Sequence, residues 1–160
     1  GPDGRVVLAD INDSMLQVGR DKLLDQGRQG NIEFVQADAQ YLPFPDDSFD
    51  YVMAFHVVSV VPDAARLMRE VMRVSKPGAT VVIINHFRSR HRLLAALDSV
   101  SEPLTRRLGW HTLSQDEVLT DVPLGVLRSY KNSPRSLFTI VIGEARKATV
   151  APRVASAPGG

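Results

Sequence analysis

Four polar groups stand where apolar runs of this sequence stop. Asp10 closes RVVLAD, Asp38 lies just past NIEFVQ, His56 follows FDYVMAF, and Asn85-His86 follow TVVII. A carboxylate accepts hydrogen bonds from two hydroxyls at once or from an amine. An imidazole takes or gives a proton near neutral pH. Together such groups, gathered at strand ends, suit a ligand site beside a group that handles a proton. The stretch Asp38–Val58, DAQYLPFPDDSFDYVMAFHVV, holds both parts: a loop that could lie over a cofactor, then a strand that ends on His56.

The elements that position these residues read as alternating strands and helices. Arg5–Asp10 has the apolar run of a buried parallel strand, and Asn31–Gln36 alternates as a second. Between them Asn12, Asp13 and Ser14 offer N-caps for a helix running to about Gln26, with Gly27 as its stop. Phe49–Phe55 is the third strand. Pro62 and Asp63 open a helix whose stripe is Leu67, Met68, Val71 and Met72, one face of a 3.6-residue period, and Lys76-Pro77-Gly78 ends it. Thr80–Ile84 is apolar enough to be a central strand. Ser89–Leu108 has a helical pattern kinked at Pro103, and Val126–Tyr130 and Leu137–Ile142 read as late strands. This alternation predicts an α/β fold with a doubly wound, mainly parallel sheet. Ligands of such sheets sit outside the carboxyl ends of the strands, which is where Asp10, Asp38, His56, Asn85 and His86 fall.

Composition sets the bounds. The 160 residues suffice for one domain with a core, and 44% hydrophobic with 23% charged residues is ordinary for a soluble globular protein. With no cysteine, thiol nucleophiles, disulfides and thiolate metal sites are excluded; no spaced His/Asp/Glu cluster suggests a metal. The net charge of +1 hides an asymmetry: the first fifty residues carry ten acidic and four basic side chains, the rest eight and fifteen. Solvated helix faces account for the basic half, with peripheral contact to an anionic membrane as the alternative; no nucleic-acid partner is expected. The expected location is the cytoplasm, extending to the inner membrane face if that contact is made. A domain over 1–143 and a disordered, low-complexity tail over 144–160 complete the expected organisation.

Three segments, VVLADIN, FVQADAQYLPFPDDSFDYV and RVSKPGATVVIINHF, together resemble the class I S-adenosylmethionine-dependent methyltransferases, which have a Rossmann-like sheet. The first fifty residues resemble the ubiquinone/menaquinone C-methyltransferase family most. From His56 onward, HVVSVVPDAARLMREVMRV, INHFRS and SEPLTRRLGWH are more similar to bacterial phosphatidylethanolamine N-methyltransferases. One departure stands out: the glycine-rich strand and turn that wrap the methionine end of the cofactor in these families are not found. That strand would be the first and central one, between 5–10 and 49–55. Its lack would leave two rows of unpaired backbone groups, so a fragment of a longer protein is the expectation.

The resemblance implies roles. Asp10 would accept from the ribose hydroxyls of S-adenosylmethionine, or else cap the following helix. Asp38-Ala39 would meet the adenine, or form an Asx turn. Ile11, Met15 and Leu42 would sandwich the adenine or simply pack. His56 and His86, with Tyr51 and Asn85 as further candidates, would face the methyl acceptor or serve structure. Arg88, with Arg90 and Arg92, would hold a lipid phosphate or begin a solvated helix. Trp110 and His111 would form the floor or lid of a substrate pocket or, as the preferred reading, a satellite core contact. The implied activity is methyl transfer to phosphatidylethanolamine, a lipid substrate, with C-methylation of a small-molecule quinone precursor as the alternative. From other classes stand a non-catalytic remnant unable to hold the cofactor and, third, a nicotinamide dehydrogenase.

Overall fold

The computed structural model describes residues 4–27, 30–87, 113–131, 133, 136 and 138–147. The expected helix over 89–108, the arginines at 88, 90 and 92, and Trp110-His111 lie outside these residues.

β1 (Val6–Asp10) leads into α1 (Asp13–Asp25), whose N-cap is Asn12, its Oδ1 accepting from the Ser14 N–H at 2.9 Å. Gly27 at φ +63° takes the left-handed turn that stops the helix. β2 (Ile32–Gln36) returns parallel to β1, Val6 opposite Ile32 and Asp10 opposite Gln36. The α1 stripe is weak, and only Leu16 on it is buried.

The second half of the fold is stronger. β3 (Phe49–Phe55), α2 (Ala64–Val74) and β4 (Ser75–Asn85) form a parallel crossover, followed by α3 (Gln115–Leu119), β5 (Leu124–Lys131) and β6 (Thr139–Ala145). The order is β3-β4-β6-β5, with β6 antiparallel to both neighbours. β4 is central, as its unbroken apolar run predicts. Asp63 caps α2 by accepting from the Arg66 N–H at 2.8 Å. The full α2 stripe, Leu67, Met68, Val71 and Met72, packs with Val81 and Ile83 of β4 into one core.

Three expectations change. Lys76-Pro77-Gly78 does not follow the helix as a separate turn. α2 ends at Val74 and β4 begins at once; pairing jumps from Phe49–Ser75 to Tyr51–Thr80, so Lys76–Ala79 bulges from the strand, with Gly78 at φ +79°. Lys76 fastens that bulge to the Asp50 carboxylate, 2.8 Å to each oxygen. The ordered chain also runs past 143. β6 continues to a buried Ala145, and the Lys147 ammonium donates to Asp47 and to the Ser75 carbonyl at 2.8 Å, closing the carboxyl end of α2.

The third change concerns β1, read as a buried strand. Among the described residues β1 and β2 form a sheet of their own, and β1 leaves Val6 48% and Leu8 41% exposed. β3, likewise paired on one side only, exposes Met53 and Phe55 by 55% and 53%. No described strand pairs with the free edge of either.

Candidate cofactor and substrate edge

Parallel pairing brings the ends of β1 and β2 side by side, so Asp10 and the loop that starts at Ala37 meet: the Ala37 N–H donates to the Asp10 carbonyl at 3.0 Å. Asp10 Oδ1 accepts from the Asn12 N–H at 2.8 Å, while Oδ2 has no partner among the described residues. Asp10 therefore braces the turn into α1 through Oδ1, while the helix itself is capped by Asn12. Gln36 Nε2 donates to the Ile11 carbonyl at 3.1 Å and steadies the turn. Ile11 and Met15 expose 67% and 55% of their surface beside it. Exposed apolar side chains flanking a carboxylate suit a ring bearing polar edges.

The half-buried Asp38 takes the Asx-turn geometry as well: the Gln40 N–H donates to its Oδ1 at 2.8 Å, and Gln40 Nε2 donates to both carboxylate oxygens at 3.2 Å. Ala39 packs against the main core and Leu42 is half-buried.

The loop past Asp38 is held by two α2 side chains that the sequence reading passed over. Glu70 Oε2 accepts from the Leu42 N–H at 2.8 Å. The Arg73 guanidinium donates to the carbonyls of Leu42 (2.9 Å) and Phe44 (2.7 Å), to Asp46 (2.8 Å), and by two nitrogens to Glu70 at 2.8 Å each. One planar fork thus satisfies three points of a proline-broken loop. A glutamate and an arginine three apart beside the α2 stripe were the available signal. The Arg73 guanidinium, aided by the Leu42 N–H, holds the Glu70 carboxyl below its usual range against the opposing effect of burial. Glu70, then Asp46, push the Arg73 guanidinium further up, so it stays charged wherever the protein is folded.

A lowered carboxylate stabilises the fold above its ordinary value near 4.5, and that contribution fades as pH falls through the lower folded value. The melting temperature of the wild type should therefore exceed that of Glu70→Gln at pH 7, with the gap narrowing on acidification below about 4. Melting curves of both proteins across pH 3–7 check this; a gap constant with pH contradicts it.

At the ends of β3 and β4 the His56 N–H donates to the Ile84 carbonyl at 2.8 Å, and φ of +52° turns His56 off the strand. A left-handed histidine is uncommon, and such outliers gather at functional sites. Its exposed ring lies 4.4 Å from the Phe138 ring, at 58°. His86, half-buried, follows Asn85 on the neighbouring strand, so both imidazoles belong to one edge. Asn85 is fully buried instead of facing a ligand: its Nδ2 donates to the His86 carbonyl at 3.0 Å and its Oδ1 accepts from Ser59 Oγ at 3.3 Å. It braces the edge. Tyr51 stands five residues before His56, about 16 Å up an extended strand, so the structure does not join it to this edge. Arg88 lies outside the described residues.

A sequence model described as the ubiE/COQ5 methyltransferase family matches residues 1–101. The ubiquinone/menaquinone biosynthesis C-methyltransferase UbiE of Pseudomonas putida is 55% identical over 104 residues, covering 63% of this chain and 40% of that protein. The same enzyme of Pseudomonas paraeruginosa is 47% identical over 110 residues, 68% of this chain and 43% of its own. The chain thus spans about two-fifths of the length of these curated relatives. A SAM-dependent methyltransferase from Methanosarcina mazei superposes with a TM-score of 0.70 at 24% identity, covering 88% of this chain and 81% of that one. One from Aquifex aeolicus gives 0.65 at 17%, covering 91% and 71%. These two likenesses establish the Rossmann-like methyltransferase fold, with one antiparallel strand in an otherwise parallel arrangement. The family match runs over more than half of the sequence and through both halves of the site, from Asp10 past His86: this chain belongs to the ubiE/COQ5 methyltransferase family.

Proposed function

We propose that the chain carries the nucleoside-holding and acceptor-facing edge of an S-adenosylmethionine-dependent methyltransferase, and that its acceptor is a ring carbon of a quinone precursor. The observation that carries this reading is the match itself, which continues through His56 to residue 101. The phospholipid expectation leaned on the segment from His56 onward, and the relatives that match there are named as C-methyltransferases.

The donor set fits the cofactor's nucleoside. Asp10 Oδ2 suits a ribose hydroxyl, Asp38 suits the adenine amine, and the exposed Ile11 and Met15 suit the ring faces. When bound, the cofactor supplies a methyl group on a sulfonium. The chain's own task is then to hold the acceptor in line and to remove its hydroxyl proton, which raises electron density at the ring carbon. The imidazole of His56, with His86 beside it, would accept that proton at a ring nitrogen. Supplying full-length protein with labelled methyl donor and either a hydroxylated quinone precursor or phosphatidylethanolamine tests the acceptor. Label in the aromatic product is expected; label in the phospholipid instead would overturn the carbon assignment.

We also propose that a strand pairs in parallel with both β1 and β3. Each offers a free edge and exposed apolar side chains, and buried unpaired backbone is costly. A glycine-rich turn after that strand would meet the methionine end of the cofactor. By the same observation, a domain whose β1 and β3 edges stay open would grip only the nucleoside, which is the part of the remnant reading those edges favour. Coding sequence upstream of Gly1 that holds a strand and a glycine-rich turn would support the pairing; upstream sequence without one would remove it.

A further inference from the structure

Gln40 is 8% exposed, although Tyr41 next to it is 59% exposed and Ala39 only half-buried. A buried amide must satisfy both of its ends. Its oxygen accepts from the Asp63 N–H at 3.0 Å, at the N-cap of α2. That bond leaves only the nitrogen end to turn toward Asp38, where it donates to both oxygens at 3.2 Å. The main chain of Gln40 is fastened too: its N–H donates to Asp38 Oδ1 at 2.8 Å, and its carbonyl accepts from Arg66 Nε at 3.1 Å. Arg66 in turn lies 3.8 Å over the Tyr41 ring.

From this geometry we infer that Gln40 is a positioning residue: it transmits the fixed position of the α2 N-terminus to the Asp38 carboxylate and so sets that carboxylate for an adenine amine. The inference rests on the reading of Asp38 as the adenine contact. The bonds are unequal. Asp38 Oδ1 receives two from Gln40 and Oδ2 one, so Oδ2 keeps the greater accepting capacity for a ligand amine. Without the amide, the carboxylate keeps a single backbone bond and is free to turn about its side-chain torsions. A pure packing role for Gln40 would need a side chain of this volume but no hydrogen on its end.

The distinguishing variant is Gln40→Glu. It preserves shape and the acceptor for the Asp63 N–H, but it aims an oxygen at Asp38 where an N–H stood. The charged groups at this point are the Asp38 carboxylate on the loop and the Arg66 guanidinium on α2; Asp63 meets Gln40 by its backbone N–H, while its carboxylate caps α2 and pairs with Arg69 at 3.7 Å. Two carboxylates in contact share a proton more readily as pH falls. Titration of S-adenosylhomocysteine into wild type, Gln40→Glu and Gln40→Met at pH 7.5 and 5.0 should show Gln40→Glu binding about tenfold more weakly than wild type at the higher pH and recovering toward it at the lower. Gln40→Met, which keeps the volume, should be weaker by a similar factor at both. If Gln40→Glu does not fold at pH 7.5, the loss in Gln40→Met carries the test. Wild-type binding matched by both variants at both pH values overturns the Gln40 assignment alone. A wild type whose Asp38 amide is unmoved by the ligand overturns the adenine reading and the assignment with it.

Discussion

Arg73→Ala is expected to destabilise the protein by about 3 kcal/mol, a fall of roughly 6–12 °C in melting temperature for a chain of this size. The loss is large because one guanidinium, 30% exposed, serves two carbonyls and two carboxylates. Its removal leaves Glu70, 18% exposed, without its hydrogen-bonded cation and with only the weaker pull of Arg66. It also frees the Leu42 and Phe44 carbonyls beneath a loop whose proline residues cannot rebuild backbone bonds. Arg73→Lys keeps the charge but not the fork, so it should fall between wild type and alanine. Glu70→Ala should cost a comparable amount, and the double variant much less than the sum, because the two residues form one unit. Thermal unfolding of the wild type and the four variants checks the pattern; an unchanged melting temperature in Arg73→Ala would contradict it.

The second large effect is on the ligand. Asp10→Ala and Asp38→Ala should each weaken S-adenosylhomocysteine binding about 10-fold to 100-fold, the range for a hydrogen bond to a charged acceptor. The conservative forms should divide the two roles. Asp10→Asn retains an oxygen for the Asn12 N–H and so keeps the turn, while its amide is a poorer acceptor for a hydroxyl. Asp38→Asn keeps an acceptor for the Gln40 backbone N–H but presents an amide toward Gln40 Nε2. Folding should survive in both, with affinity reduced. Affinities equal to wild type in both alanine variants would remove these carboxylates from the nucleoside site.

Much of the fold was legible because period and end signals agreed. The α2 stripe and the Asp63 cap lie where Leu67, Met68, Val71, Met72 and the preceding Pro62-Asp63 predict. The unbroken Val81–Ile84 run is central because both of its edges are paired. Asp10, Asp38, His56 and His86 fall at carboxyl strand ends for the same reason: the strands stop where apolar residues stop. What escaped was set by tertiary geometry. Gln40, Glu70 and Arg73 are polar residues of ordinary type, and nothing local says that one helix will lie against the 38–46 loop. Tyr51 was a further candidate on the strand that ends at His56, but five residues of extended chain set it well back from that end. Asn85 looked accessible because it ends a strand, yet among the candidate site residues at strand ends it is the one fully buried. The tail was judged by composition, which does not register that β6 needs Gly143 through Ala145 opposite β5, or that Lys147 closes α2.

The central claim is that the ends of β1 and β2 hold the nucleoside of S-adenosylmethionine. Amide shifts in the 160-residue chain during titration with S-adenosylhomocysteine test it residue by residue. The account predicts saturating shifts at Asp10–Asn12 and Asp38–Tyr41 that vanish in the Asp10→Ala, Asp38→Ala double variant. Shifts absent from both stretches, or unchanged in the double variant, would contradict it.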